Sequence, residues 1–275
     1  MTRSIQFPMF TPETEWVMPD GLKNLTGCKE IAIDLETNDP GLITSGSGSV
    51  VGRGHIAGIA VAVEGWSGYY PIQHENGGNI DKKLVFGWLQ EILNQENTTF
   101  IFHNAMYDVC WLRAAGLIIK GKIVDTMIAA SLVNENRFKF DLNSLAKEYV
   151  GIGKDENVLR IAAKDFGVDP KAEMWRMPAM YVGEYAERDA EVTLKLWQRL
   201  SIELHNEELM DIFNLETKLF PCLVDMRFKG VRVDLEHAAK LKKNLIIRED
   251  KILKNIKDLV GFDIEINAAR SIAKG

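Results

Sequence analysis

The feature that most constrains this chain is an alternation of hydrophobic period along its first half. Glu30-Ile31-Ala32-Ile33-Asp34-Leu35-Glu36 is short, β-branched and partly alternating, which marks a strand. His55 to Val63 and Trp66 to Ile72 read as two more strands around a turn at Glu64-Gly65. From Asp81 to Asn94 the apolar residues Leu84, Val85, Trp88, Leu89, Ile92 and Leu93 fall at helical spacing. Thr98 to His103 returns to strand and Asn104 to Ala115 to helix. Ile123-Val124 is a short strand ending at Asp125, an N-cap for a helix over Thr126 to Val133. Asp141 caps a helix from Leu142 to Tyr149, and Met177 to about His205 is mostly helical. This order predicts an α/β domain, a mixed sheet flanked by helices.

Between the first two strands, Thr37 to Gly54 carries Gly41, Gly46, Gly48, Gly52 and Gly54 with Ser45, Ser47 and Ser49 among them. It lacks the GK[ST] ending of a phosphate-cradling loop and the dinucleotide fingerprint, so it reads as a flexible connection. Near Asn206 the character changes. Two helical stretches follow, Glu207 to Lys229 and Leu235 to Leu259, split by Gly230-Val231-Arg232-Val233-Asp234. Lys240 to Lys257 holds seven basic residues against Glu249 and Asp250, a net charge of +5. That run reads as a solvated helix face or as a phosphate contact.

The whole chain has 275 residues, is 46% hydrophobic and 26% charged, and has a formal net charge of −6. A sizeable core is available, and a uniformly basic nucleic-acid coat is excluded. The cysteines Cys28, Cys110 and Cys222 form neither a CxxC pair nor a disulfide framework, so a reducing cytosolic compartment is expected. The N-terminus has no apolar signal core, and no run of about 18 apolar residues occurs, so no membrane span is expected.

Three sets of residues carry chemistry. Asp34 and Glu36 stand at i and i+2 of a strand and share a face. Asp108 lies in the first turn of a helix that follows a strand directly. Tyr185 and Asp189 are spaced i, i+4 on one helix face. Each set alone has an ordinary structural reading: a strand-end pair, a dipole-complementing Asp, a half-buried Tyr beside a surface Asp. Together the four acids bring a formal charge of −4 to elements able to converge at one sheet end. Two divalent cations would cancel it, and all-carboxylate ligation suits Mg2+ or Mn2+ rather than zinc. Two such metals about 3.5–4 Å apart serve in-line displacement at a phosphodiester.

In this order the segments resemble a known family. IAIDLETND, FHNAMYDVCWL and YAERDAEVT resemble the three exonuclease motifs of the DEDD superfamily, the last in its tyrosine form. The histidine form is disfavoured, because Glu184 stands where its histidine would be. The tyrosine form groups the chain with the proofreading domains of family A, DNA polymerase I-like polymerases and with ribonuclease-D-like enzymes. Asp125-Thr126-Met127, the Gly-rich loop with the GIAVAV after it, and Leu215 to Asp234 resemble the phage-type polymerase branch, the last piece resembling the start of a thumb. The resemblance implies a ribonuclease-H-like mixed sheet flanked by helices, an exonuclease domain over 1–205, and a helical C-terminal extension over 206–275. It also implies that the palm and fingers are absent from this chain. The chain is then a fragment, a separately encoded editing unit, or one piece of a split polymerase.

The resemblance further implies the reaction: two-metal hydrolysis of a single-stranded or frayed DNA 3′ end to nucleoside 5′-monophosphates. Asp34 would bridge both cations. Glu36 and Asp189 would hold the one that activates water, and Asp108 the other through water. Tyr185 would orient the nucleophilic water as a hydrogen-bond partner. Leu35, Thr37, Asn104 and Tyr107 are the expected substrate contacts. Phe102 and Trp111 are stacking candidates whose usual fate is the core. Arg137, Lys139 and the Lys240–Lys257 run are candidate phosphate contacts, whereas His103 reads as a packed strand residue. Expected partners are the DNA 3′ end and a polymerase module, with no membrane, in a bacterial or phage-infected cytosol. The competing readings are a ribonuclease-D-like RNA exonuclease and a catalytically silent DNA-tethering module.

Overall fold

The computed structural model describes residues 13–153 and 156–273. Its strands are β1 (Glu30–Asn38), β2 (His55–Val63), β3 (Trp66–Pro71), β4 (Thr99–Phe102) and β5 (Lys122–Asp125). Its helices are α1 (Leu42–Ser45), α2 (Lys82–Leu93), α3 (Ala105–Ala114), α4 (Thr126–Val133), α5 (Leu142–Leu145), α6 (Asn157–Phe166), α7 (Gly183–Asn206), α8 (Met210–Lys229), α9 (Leu235–Val260) and α10 (Ala269–Ile272). The sheet order is β3-β2-β1-β4-β5. β1, β2 and β3 pair antiparallel, and β4 lies parallel to both β1 and β5.

The period-2 pattern of β1 divides the core in two. Ile31, Ile33 and Leu35 pack with Phe100, Phe102, Val85 and Leu89, on the side that also receives α2, α3 and Phe220 and Val224 of α8. Ala32 packs with Ala60, Ala62 and Ile101, on the side covered by α4 and α7. Those small side chains let α7 lie against the sheet, where it touches β1, β2, β3 and β4. Its buried stripe runs Ala186, Asp189, Ala190, Thr193, Trp197, Leu200 and Leu204, so a carboxylate and one hydroxyl stand in a mainly apolar face. The mixed sheet flanked by helices, with a helical C-terminal part, is the predicted fold class.

The Gly-rich connection is a correction to the flexible reading. Asp39 accepts the Gly48 N–H with both oxygens at 3.1 Å. The Arg53 N–H donates to the Gly48 carbonyl at 2.9 Å, and Arg53 Nη2 donates to Gly46. A Cβ at Gly48 would fall 1.8 Å from the Arg53 carbonyl, and one at Gly54, where φ is +96°, 2.0 Å from that of Asn38. These glycines permit close backbone approach in a folded loop that holds α1 and a 3-10 turn at Ser49–Val51. Helix α6 is a further addition: the sequence pattern predicts no helix between Tyr149 and Met177, yet Leu159, Ala162, Ala163 and Phe166 form its buried stripe.

The chain divides into two compact units, with the break between Phe228 and Lys229. Helix α8, placed by composition in the C-terminal extension, belongs to the first unit. Phe213 stacks on Trp197 at 5.4 Å, and Arg113 pairs with Asp225 and covers the Phe228 ring at 4.5 Å. In the second unit Asp234 caps α9 by accepting the His237 N–H, and Gly261 closes it in a left-handed conformation. Helix α9 buries none of its residues. No helix among the described residues is long and apolar enough to cross a membrane.

Candidate active site

The site begins in the central strand. Asp34 and Glu36 alternate with the core residues Ile33 and Leu35 and so share the other face. Glu36 pairs with Gly58 of β2, and the register slips between Glu36 and Thr37. This bulge turns the strand end just past the carboxylates.

Asp108 comes from the opposite side of the sheet. Its carboxylate accepts the Leu35 N–H at 3.2 Å, which ties α3 to the strand between the two acids. Burial first, and then the charge of Asp34, push its carboxyl well above the ordinary range. Helix α3 starts on Asn104, held in the left-handed region at φ 63°. Asp125 sustains that start by accepting the N–H groups of Asn104 at 3.0 Å and Ala105 at 2.8 Å. The same carboxylate caps α4 by accepting Met127 N–H at 2.8 Å. Thr126 donates to the Phe102 carbonyl, so it accepts from His103 Nδ1 at 2.8 Å. His103, expected in the strand, is half-buried in the bend just after β4 and is held there by this bond.

Tyr185 and Asp189 descend from the first turns of α7. Burial and the charges of Asp189, Glu36 and Asp34, in that order, keep the Tyr185 phenol protonated far above its usual range. One hydroxyl thus lies in the field of three of the four expected carboxylates, while the fourth, Asp108, lies in the field of Asp34. Glu36, Asp108 and Asp189 are all buried.

A second phenol faces the same charges. Tyr69 of β3 is fully buried, and burial followed by Glu36 and Asp34 raises it. It fits only because Gly58 has no side chain: a Cβ there would lie 2.0 Å from the Tyr69 oxygen. The Met177 carbonyl can only accept, so His74 carries its proton on Nδ1 and donates to it at 2.9 Å. Nε2 then accepts the Tyr69 hydroxyl at 2.7 Å. Sequence reasoning passed over Tyr69 and His74, whose only local signal is a strand end.

At the rim, the hydroxyls of Thr37 and Tyr107 meet at 2.6 Å, and Tyr107 donates weakly to Asp39 at 3.4 Å. Burial pushes the Tyr107 phenol up to about 12. Asn104 is exposed. Leu35, expected as a contact, turns its side chain into the core at 6% exposure and leaves only its backbone at the site. Phe102 and Trp111 are core residues too. Arg137 pairs with Glu148, and Lys139 is exposed.

Among the described residues, no group of three or more His, Cys, Asp or Glu side chains is arranged to hold a metal ion as it stands. The donor chemistry nonetheless fits a hard cation. Carboxylates of opposing elements repel across a buried space, and an ion of charge +2 relieves that repulsion with oxygen ligands.

A profile described as 3′-5′ exonuclease, of the family A DNA polymerase type, matches residues 9–205. The chain belongs to the family A polymerase 3′-5′ exonuclease family. Over 95% of its length this exonuclease-family chain is 35% identical to a DNA-directed DNA polymerase of Pseudomonas phage M6, and it covers 40% of that protein. The fold is shared with the Pol1 POL domain of M. smegmatis in complex with DNA primer-template and dNTP. That match has a TM-score of 0.60 at 16% identity and covers 90% of this chain and 37% of the other. Brucella melitensis NrnC with bound Mg2+ shares the fold at a TM-score of 0.55 and 19% identity, over 78% and 94% of the two chains. The exonuclease-family chain spans less than half the length of the polymerases it matches.

Proposed function

We propose that this chain removes nucleoside 5′-monophosphates from single-stranded or frayed DNA 3′ ends, as the editing part of a family A polymerase. The observation that carries the reading is the packing of α7, with Tyr185 and the buried Asp189, against β1, with Asp34 and the buried Glu36, while the buried Asp108 accepts the Leu35 N–H between those two acids. Asp34, Glu36, Asp108 and Asp189 would hold two divalent cations, Mg2+ or Mn2+. Bound there, the cations supply Lewis acidity toward water and phosphate.

The protein's own groups do the rest. Tyr185 stays protonated and orients the attacking water by hydrogen bonding. Glu36 stands beside the terminal 3′-hydroxyl. The Thr37–Tyr107 pair and Asn104 contact the last nucleotides, with the Tyr107 ring available for stacking. The polymerase assignment draws on relatives that are polymerases and extend well beyond this chain.

The test is a 5′-labelled single-stranded DNA oligonucleotide incubated with Mg2+, beside EDTA and Asp34→Ala. A ladder shortening from the 3′ end, absent in both controls, is the expected result. An equal or faster ladder on RNA would move the assignment to an RNA exonuclease. No ladder from folded protein would favour a silent DNA-tethering module.

A further inference from the structure

We infer that Trp16 and Glu187 form a positioning clamp that sets the start of α7, and with it Tyr185 and Asp189, against the strand face carrying Asp34 and Glu36. This rests on the exonuclease reading above.

Glu187 lies between Tyr185 and Asp189 in sequence. A single carboxylate oxygen, Oε1, accepts the Trp16 indole N–H at 2.8 Å and the Tyr69 backbone N–H at 2.9 Å. Three separate elements therefore meet on one atom: the N-terminal segment, the β3 edge strand and α7. The Trp16 ring occupies the space a side chain at residue 183 would need, since a Cβ on Gly183 would lie 2.0 Å from it. The same ring makes an edge contact with Tyr69 at 6.2 Å. Thr14 secures the segment by donating to the Met180 carbonyl at 3.2 Å and accepting the Trp16 N–H at 3.2 Å.

Helix α7 needs such a device, because its N-terminus has no side-chain cap. The apolar stripe from Ala186 onward fixes the middle of the helix, but Tyr185 stands in its first turn. Glu187 adds a negative charge near the positive end of the helix dipole. Through the Tyr69 amide it also fixes the residue whose phenol covers Gly58, opposite Glu36. Displacement of a reacting group by about 1 Å costs on the order of 10²-fold in rate.

The test compares Glu187→Ala, Glu187→Gln and Trp16→Phe in the full chain. Glutamine keeps an accepting oxygen, and phenylalanine keeps a ring but loses the N–H. We expect Glu187→Gln to retain kcat within about 3-fold. Trp16→Phe and Glu187→Ala should lower kcat by on the order of 10- to 10²-fold while KM for the oligonucleotide stays nearly constant. The Mg2+ concentration giving half-maximal thermal stabilisation, read without substrate, should rise several-fold in the same two variants and not in Glu187→Gln.

Lower melting temperatures with kcat and the Mg2+ midpoint unchanged would overturn the clamp and leave a purely structural bond. If Glu187→Ala fails to fold, Trp16→Phe against Glu187→Gln decides. If the wild type cuts neither DNA nor RNA, the exonuclease reading fails, and the Mg2+ midpoints alone support or overturn the clamp.

Discussion

Ionised Asp108 is unfavourable in the metal-free fold, because burial and the Asp34 charge both act against it. Its carboxyl is raised, so the penalty is absent below the unfolded pKa and grows as pH rises toward the folded value. Asp108→Asn keeps an acceptor for the Leu35 N–H and removes the charge. At pH 7 in EDTA this variant is expected to melt about 2–4 °C higher than wild type, the shift that ~1 kcal/mol produces in a unit of this size. In saturating Mg2+ the gain should vanish and the exonuclease rate should fall by on the order of 10²–10³-fold. Calorimetry with and without Mg2+ checks both halves. At this scale two of the motifs are legible because each couples a residue type to a short period, i, i+2 on β1 and i, i+4 on α7, and the third because Asp108 stands in the first turn of a helix that follows a strand directly. Glu187 was not legible, because its partner Trp16 lies 171 positions away and no local pattern joins them.

Elements meet through buried polar groups, and His74 is the clearest case. It joins the end of β3 to the turn before α7, and burial lowers its pKa from 6.5 to about 4. The unfolded chain binds that proton more readily, so the His74 contribution is complete above pH 6.5 and is lost as pH falls toward 4. The loss amounts to about 3 kcal/mol from the linkage relation. His74→Gln should flatten the stability curve over that window, and urea midpoints between pH 4 and 7 would show it. The loop after β1 looked flexible because Gly and Ser dominate it, but Asp39 and Arg53 supply the bonds that order it. Helix α6 is hard to see in the sequence because alanines make up half of its buried stripe and weaken the apolar signal.

Across the whole molecule, the change in composition near Asn206 does not coincide with the limit of the first core. Phe213, Phe220 and Val224 of α8 are buried within that unit. Their removal exposes apolar surface worth on the order of 5 kcal/mol. A chain cut after Phe228 is therefore expected to melt like the intact first unit. One cut after His205 should melt roughly 10–20 °C lower. Differential scanning calorimetry of the two truncations distinguishes them. Helix α9 adds no buried residue, and of its seven basic side chains Lys257 pairs with Asp263 at 2.9 Å.

The bond between Trp16 and Glu187 also has a consequence in time. A ribosome adding about 5–20 residues per second needs roughly 10–30 s to make the 171 residues between them. Throughout that interval the N-terminal segment has emerged without its anchor, and the first turn of α7 does not yet exist. The strand pair carrying Asp34 and Glu36 can form early, but the constellation completes only when α7 leaves the exit tunnel. Until then the nascent chain holds Asp34 and Glu36 on β1 and Asp108 on α3, without the Tyr185 and Asp189 that complete the set.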